Sequence, residues 1–256
     1  MIKKDVEGII LILSCEKHSN TRLKEFGPKQ NIYNNFQVIK VIGNIYLHTD
    51  YILNKNILYV KCEDSYLHLM KKLALSIKYL NLEFNIRQGI LRCGDDLIFN
   101  EDNLINFLNG IKFDYYGQAY CKKNYVSEDI SVLKNTCYDP FMLSYYKNHQ
   151  NELICEKHGI NKSLNELNNF LVRPRLYGAC GIIYYLSNKA CQIIVDTMEK
   201  IDYNIFHLDE YSNSYPYIIE DVATSYIMYY NKINFIHSDV FFDNPNSICR
   251  HTNKYK

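Results

Sequence analysis

The sequence predicts an α/β fold built on a mostly parallel central sheet flanked by helices. Two observations carry this expectation. Short continuous apolar runs, bounded by Gly, Asn and Asp, recur through residues 1–120, as strands covered on both faces do. Between them lie segments with apolar residues at helical spacing, which is the alternation of βαβ units. At 256 residues, 47% of them apolar, the chain suits one large domain, or one domain carrying an insertion.

The elements follow in order. Residues 8–15 form an unbroken apolar run and read as the first core strand. Val38-Ile39-Lys40-Val41-Ile42 with the turn Gly43-Asn44 reads as a second, and Ile57-Leu58-Tyr59-Val60 as a third. Asp64 or Ser65 is placed to cap a helix in which Tyr66, Met70, Leu73, Ile77 and Leu80 fall on one face. Gly89-Ile90-Leu91-Arg92-Cys93 is a further strand, ended by Gly94-Asp95-Asp96. Leu97-Ile98-Phe99-Asn100 follows, Asp102 opens a helix through Leu108, and 113–120 reads as another strand. From 121 to about 173 the pattern dissolves into polar stretches, which reads as an insertion within a single 1–256 domain. Order returns in the apolar run 176–186, interrupted by Gly178 and Gly181. Helices at 189–200 and 219–230 and a strand at 233–236 complete the pattern.

Composition excludes some functions. With 29 basic and 28 acidic residues, a formal net charge of +1, the chain lacks the basic excess of a nucleic-acid grip. The nine cysteines are scattered with no CxxC pair, which argues against a zinc ribbon and for a reducing, cytoplasmic setting. Cys155 and His158 have ligand-like spacing but no partner pair. The run Ile9 to Leu13 is too short to span a bilayer and lacks a cleavage site, so the protein is expected to be soluble. No Gly-x-Ser-x-Gly elbow and no phosphate-binding P-loop occurs.

Two acidic pairs could carry chemistry. Asp95-Asp96 is wedged between apolar runs, where carboxylates are costly unless they reach solvent or a cation. The pair ends a strand, the place where open α/β sheets bind ligands. Mg2+ or Mn2+ is held by a few carboxylates plus substrate phosphates. The structural alternative is an acidic turn with Gly94 at positive φ. Glu220-Asp221 opens a helix, where the macrodipole alone favours acids; the functional alternative is a general base. Gly178-Ala179-Cys180-Gly181 is not a dinucleotide fingerprint, and its glycines allow a close approach of backbone or substrate. His237 ends an apolar strand and His251 lies in a polar tail.

In their order, these segments resemble the β-1,3-glycosyltransferases of the galactosyltransferase and Fringe type (family 31). The residues that carry the resemblance begin with Leu11-Ile12-Leu13-Ser14-Cys15 and Arg22, then Val41-Ile42-Gly43-Asn44. Cys62-Glu63-Asp64-Ser65-Tyr66 with Leu69 and Lys72 is similar to the family's Asp-x-Tyr-x-x-Leu-x-x-Lys stretch. Arg92 to Asn100 is similar to its Lys-x-Asp-Asp-Asp-Val-Phe-Val-Asn. Asp114-Tyr115-Tyr116-Gly117, the set Gly181, Tyr184 and Ser187, Glu220-Asp221-Val222, and Cys249-Arg250-His251 with Lys254 complete the series.

The resemblance implies a GT-A fold, Rossmann-like, with residues 1–120 as the nucleotide-sugar half, 121–173 as an insertion and 174–256 as the acceptor half. It implies an inverting, metal-dependent transfer from a UDP-sugar to a hydroxyl of a glycan or glycoconjugate. Asp96 and His251 would ligate Mn2+ or Mg2+, with His237 and Asp243 as alternative ligands. Asp221 would be the general base. Ser14, Arg22, Asp64, Tyr66, Lys72, Asp95 and Glu220 would serve the donor pocket, Asp95 beside the ribose. The chain departs from the family where Gly94 replaces the first acid of the triple and where Arg22 near Phe26 stands for an Arg and Trp motif. Two other readings share the pattern: a retaining GT-A transferase, and a degenerate domain that binds a glycan or nucleotide without turnover.

Overall fold

The computed structural model describes residues 3–119, 137–138, 172–173, 177–205, 207, 216–252 and 254. Strand β1 (Lys4–Leu13) is the centre of a nine-stranded sheet. Ile9, Leu11 and Leu13 point into one core and Ile10 and Ile12 into the other, all buried, because successive strand side chains alternate faces. This is why the run lacks polar positions.

The sheet continues from β1 through β3 (Phe36–Gly43) to β5 (Ile57–Val60) on one side, and to β6 (Phe84–Cys93) on the other. These four strands are mutually parallel. The margins are antiparallel: β2 (Ile32–Tyr33) on β3, β4 (Tyr51–Asn54) on β5, and β11 (Ile183–Ser187) between β6 and β8 (Tyr115–Gly117). Strand β12 (Phe235–His237) then pairs parallel with β8. The expected mostly parallel sheet is therefore mixed, with a parallel block in its middle and a further parallel pair, β8 with β12, at one edge. Strand β11 is buried on both faces, and such a run has the same composition in either direction.

One face is covered by α2 (Leu69–Glu83), α4 (Asn188–Lys200) and α5 (Glu220–Tyr230), whose apolar residues Leu73, Ile77, Ile194, Met198 and Ile227 share a core. The other face packs α1 (Arg22–Glu25), through Leu23, and α3 (Glu101–Asn109), through Leu104 and Leu108, with Phe241 and Phe242. Two helices start on side-chain caps: Asn100 accepts from the Asn103 N–H at 3.1 Å, and Ser187 from the Ala190 N–H at 3.2 Å. The helix expected from Tyr66 begins instead with a 3-10 turn over Tyr66–His68, and α2 proper starts at Leu69. Neither expected cap serves it. The Ser65 hydroxyl pairs with His68 Nδ1 at 2.8 Å, and Asp64 turns back toward the strand ends.

A separate ribbon joins β7 (Leu97–Phe99) to β13 (Cys249–His251), setting His251 opposite Leu97. His251 is thus strand-held and not in a solvated tail. The strand expected over 113–120 is confined to Tyr115–Gly117. Within 121–173 only β9 (Cys137–Tyr138) and β10 (Val172–Arg173) are described, as an antiparallel pair; the expected insertion, with Cys155 and His158, otherwise lies outside the described residues. Among the described residues no helix is long and apolar enough to cross a membrane.

Gly89 marks the tightest seam. A Cβ there would lie 2.1 Å from the Leu186 carbonyl oxygen and 2.7 Å from Ser187 Cα, and backbone in a paired strand cannot retreat. Gly89→Ala is expected to destabilise the fold by about 3 kcal/mol, the upper range of overpacking costs, read as a drop in urea midpoint at unchanged slope.

Candidate functional site

Strand order reverses at β1: its neighbours β3 and β6 lie on opposite sides and all three run parallel. Such a switch point opens a crevice beyond the carboxyl ends of the strands. Here that crevice is bounded by Ser14 after β1, Gly43 ending β3, Cys62-Glu63-Asp64 after β5, and Gly94-Asp95-Asp96 after β6.

Asp95 bridges the β1–β6 seam. Its Oδ2 accepts from Ser14 Oγ at 2.6 Å and pairs with His18 Nδ1 at 2.6 Å, while Oδ1 accepts from Arg22 Nη1 at 3.1 Å. The residue is only 8% exposed, so these partners replace the water that a buried carboxylate loses. Asp96 faces a different set. Its Oδ2 lies 3.1 Å from His251 Nε2 and 3.6 Å from Arg22 Nη1, and its carbonyl accepts from the Thr252 N–H at 3.0 Å. The structure thus brings Ser14, Arg22, Asp95, Asp96 and His251 together.

Gly94 does not supply a positive φ; among the described glycines only Gly27 and Gly89 have one. Its N–H donates to the Ile182 carbonyl at 2.9 Å, and a Cβ would meet Asp96 Oδ1 at 3.2 Å. The two acids do lie in a bend, but one that Gly94 enters without a positive φ.

Asp64 and Lys72 form a strut under the crevice. Lys72, 1% exposed, donates to Asp64 Oδ1 at 2.6 Å and to the Ser14 carbonyl at 2.8 Å. Asp64 also accepts from the N–H groups of Gly43 at 3.0 Å and Glu16 at 2.8 Å. One carboxylate so ties the ends of β1 and β3 to α2. Tyr66, expected beside the donor, is 44% exposed.

Asp221 reaches the same sheet edge through Gly181. The Gly181 N–H donates to Asp221 Oδ2 at 2.8 Å, and the neighbouring Ile182 carbonyl is the acceptor for Gly94. Asp221 Oδ1 accepts from the Val222 N–H at 2.9 Å. Glu220, expected in the donor pocket, is engaged in a buried network instead. It is 5% exposed, bound to Arg92 Nη2 at 2.7 Å, and accepts from the Tyr184 hydroxyl. Burial opposes the Arg92 charge, but the Glu220 carboxylate outweighs it and raises the guanidinium pKa. Burial likewise raises the Tyr184 hydroxyl well above its ordinary value, so it remains a donor. Arg92 Nη1 also donates to the Gly181 carbonyl, so the buried pair grips one side of the residue whose N–H, on the other side, holds Asp221.

His237, an alternative ligand, accepts from the Ala119 N–H at 3.1 Å and faces Asp239 at 3.2 Å. Asp243, the other, accepts from the His251 N–H at 2.8 Å and so supports that histidine from behind. Burial pushes the Cys62 and Cys180 thiols up to about 12, which removes them as nucleophiles.

Among the described residues no group of three His, Cys, Asp or Glu is placed to hold a metal ion. Asp96 and His251 are a two-group set, too few for a site made by protein alone. They fit a hard divalent cation that completes its shell with phosphate oxygens and water. Sequence reading missed His18 and the role of Arg92. The signals were present: a histidine in the loop after the first strand, and a cation inside the apolar run Gly89–Cys93, which demands a buried anion. No protein-family model matches the chain, and no curated protein matches it in sequence.

Arg92→Met is expected to lower stability by about 3–5 kcal/mol, because it strands Glu220 as a buried unpaired charge. The double change Arg92→Met with Glu220→Leu is expected to recover part of that loss. Urea unfolding of the three variants measures both.

Proposed function

We propose that this protein is an inverting, divalent-cation-dependent glycosyltransferase of GT-A type that moves a hexose or N-acetylhexosamine from a UDP-sugar to a glycan or glycoconjugate hydroxyl, in a β-1,3 linkage. One observation carries the reading. Two carboxylate centres share the carboxyl edge of the parallel strands, Asp95-Asp96 and Asp221, joined through Gly94 N–H to Ile182 and Gly181 N–H to Asp221.

A general base and a diphosphate-bearing donor have to meet at one edge for single displacement. Asp221 takes the proton of the acceptor hydroxyl, whose oxygen attacks the anomeric carbon from the face opposite the departing diphosphate. Val222 and Gly181 N–H groups hold the two Asp221 oxygens, fixing the direction of proton transfer. Asp96 and His251 would hold Mn2+ or Mg2+, which when bound supplies Lewis-acid stabilisation of the leaving UDP. Arg22 faces both acids of the pair and contributes a fixed positive charge to the same crevice.

A second reading, a nucleotide- or glycan-binding module without turnover, is favoured by Asp95. Both its oxygens are engaged by Ser14, His18 and Arg22, which leaves the expected ribose contact to other groups.

Release of UDP from UDP-galactose, UDP-N-acetylglucosamine and UDP-glucose, with Mn2+ or with EDTA, separates the readings. Transfer requires metal-dependent release with at least one donor; UDP binding without release under any of these conditions leaves the module. Asp221→Asn is expected to lower turnover by ~10²–10⁴-fold while sparing UDP binding by calorimetry. Asp96→Ala is expected to abolish the Mn2+ dependence of that binding.

A further inference from the structure

His18 follows β1 in the 3-10 turn Glu16–His18 and takes no part in the residue set read from sequence. Its ring is fixed from two directions. The His18 N–H bonds the Cys15 carbonyl at 3.0 Å, and the Glu16 N–H bonds Asp64 Oδ2 at 2.8 Å, which pins the turn. Nδ1 meets Asp95 Oδ2 at 2.6 Å. An ionised carboxylate only accepts, so the hydrogen-bond network assigns the proton of that contact to Nδ1.

The other ring nitrogen, Nε2, projects away from Asp95. It has no hydrogen-bond partner among the described residues and is not enclosed, in a side chain that is 23% exposed. The crevice therefore contains an imidazole oriented by a buried carboxylate, with its second nitrogen free to meet a ligand. Carboxylate backing of this kind orients imidazoles in metal sites and general acids alike. Arg22 shares Asp95 with His18, at 3.1 Å, so an anion at Nε2 gains from two cationic groups held on one carboxylate.

We infer that His18, as the imidazolium with a proton on each ring nitrogen, is an anion-binding residue of the crevice: Nδ1 donates to Asp95 and Nε2 donates to a phosphate oxygen of the nucleoside diphosphate. This rests on the donor class proposed above and adds a residue to it. In this arrangement Asp95 acts on the donor through His18 and Arg22, as a positioning residue.

The test is calorimetric titration of UDP and of uridine into wild type, His18→Ala, His18→Gln and His18→Asn. Glutamine keeps an amide nitrogen near the place of Nε2; asparagine can keep the Asp95 contact but has nothing at Nε2. His18→Ala and His18→Asn are expected to bind UDP about ten- to a hundredfold more weakly, the loss of one charge-assisted hydrogen bond. Uridine affinity is expected to be unchanged, and His18→Gln to recover part of the UDP affinity. Equal UDP binding by wild type and the Ala and Asn variants overturns the assignment, as does a parallel loss of UDP and uridine. So does a loss of Mn2+ binding measured without nucleotide, which would make His18 a metal ligand. If alanine prevents folding, the asparagine and glutamine pair carries the same comparison. Wild type that binds neither UDP nor uridine defeats the donor class itself, a result distinct from wild-type binding that His18 variants retain.

Discussion

A guanidinium buried near the carboxyl end of a central strand has to be neutralised where it lies, and the surroundings of Asp221 are arranged by that requirement. Arg92 stands on β6 opposite Tyr184 of β11, and its countercharge, Glu220, comes from the first turn of α5. The pair binds two strands and a helix whose sequence positions are far apart, and its other hydrogen bonds end on Gly181 and Ile182. A buried ion pair contributes little net stability compared with apolar packing, but leaving one partner alone is costly. Its effect here is geometric. Helix α5 can dock in one register only, and that register brings Asp221 to the Gly181 N–H.

The two acids of the β6 turn are adjacent in sequence and different in situation. Asp95 is enclosed by Ser14, His18 and Arg22, whereas Asp96 meets His251 and the edge of the β7–β13 ribbon. The split arises in the bend after β6, where Arg22 touches both acids while Ser14 and His18 reach only Asp95 and His251 only Asp96. One acid organises the loop after β1, and the other faces a strand from the opposite end of the sequence. Under the proposed transfer they could not exchange roles.

Much of this was legible in the sequence, and the exceptions have physical causes. The parallel block was readable because strand segments buried on both faces exclude polar residues, as Ile9–Leu13 of β1 does. The direction of β11 was not, since burial constrains composition and not polarity of the chain. The start of α2 was misplaced because Asp64 and Ser65 look like caps, yet Asp64 is drawn to Lys72 and the Gly43 N–H. Local capping worth about 1 kcal/mol yields to a contact set that joins three elements. The contact of Asp96 with His251 was not legible in composition, which made His251 a tail residue; it depends on the β7–β13 pairing. Glu220 and Asp221 could not be told apart by sequence, because both belong to the first helical turn; only the buried Arg92 separates them.

The β7–β13 ribbon leaves the two acids separately held. Asp96 and His251 are 155 positions apart, and three paired positions of the ribbon hold them together. Asp95 draws its partners from residues 14, 18 and 22 instead. A break in the ribbon would therefore part Asp96 from its histidine and leave the contacts of Asp95 intact.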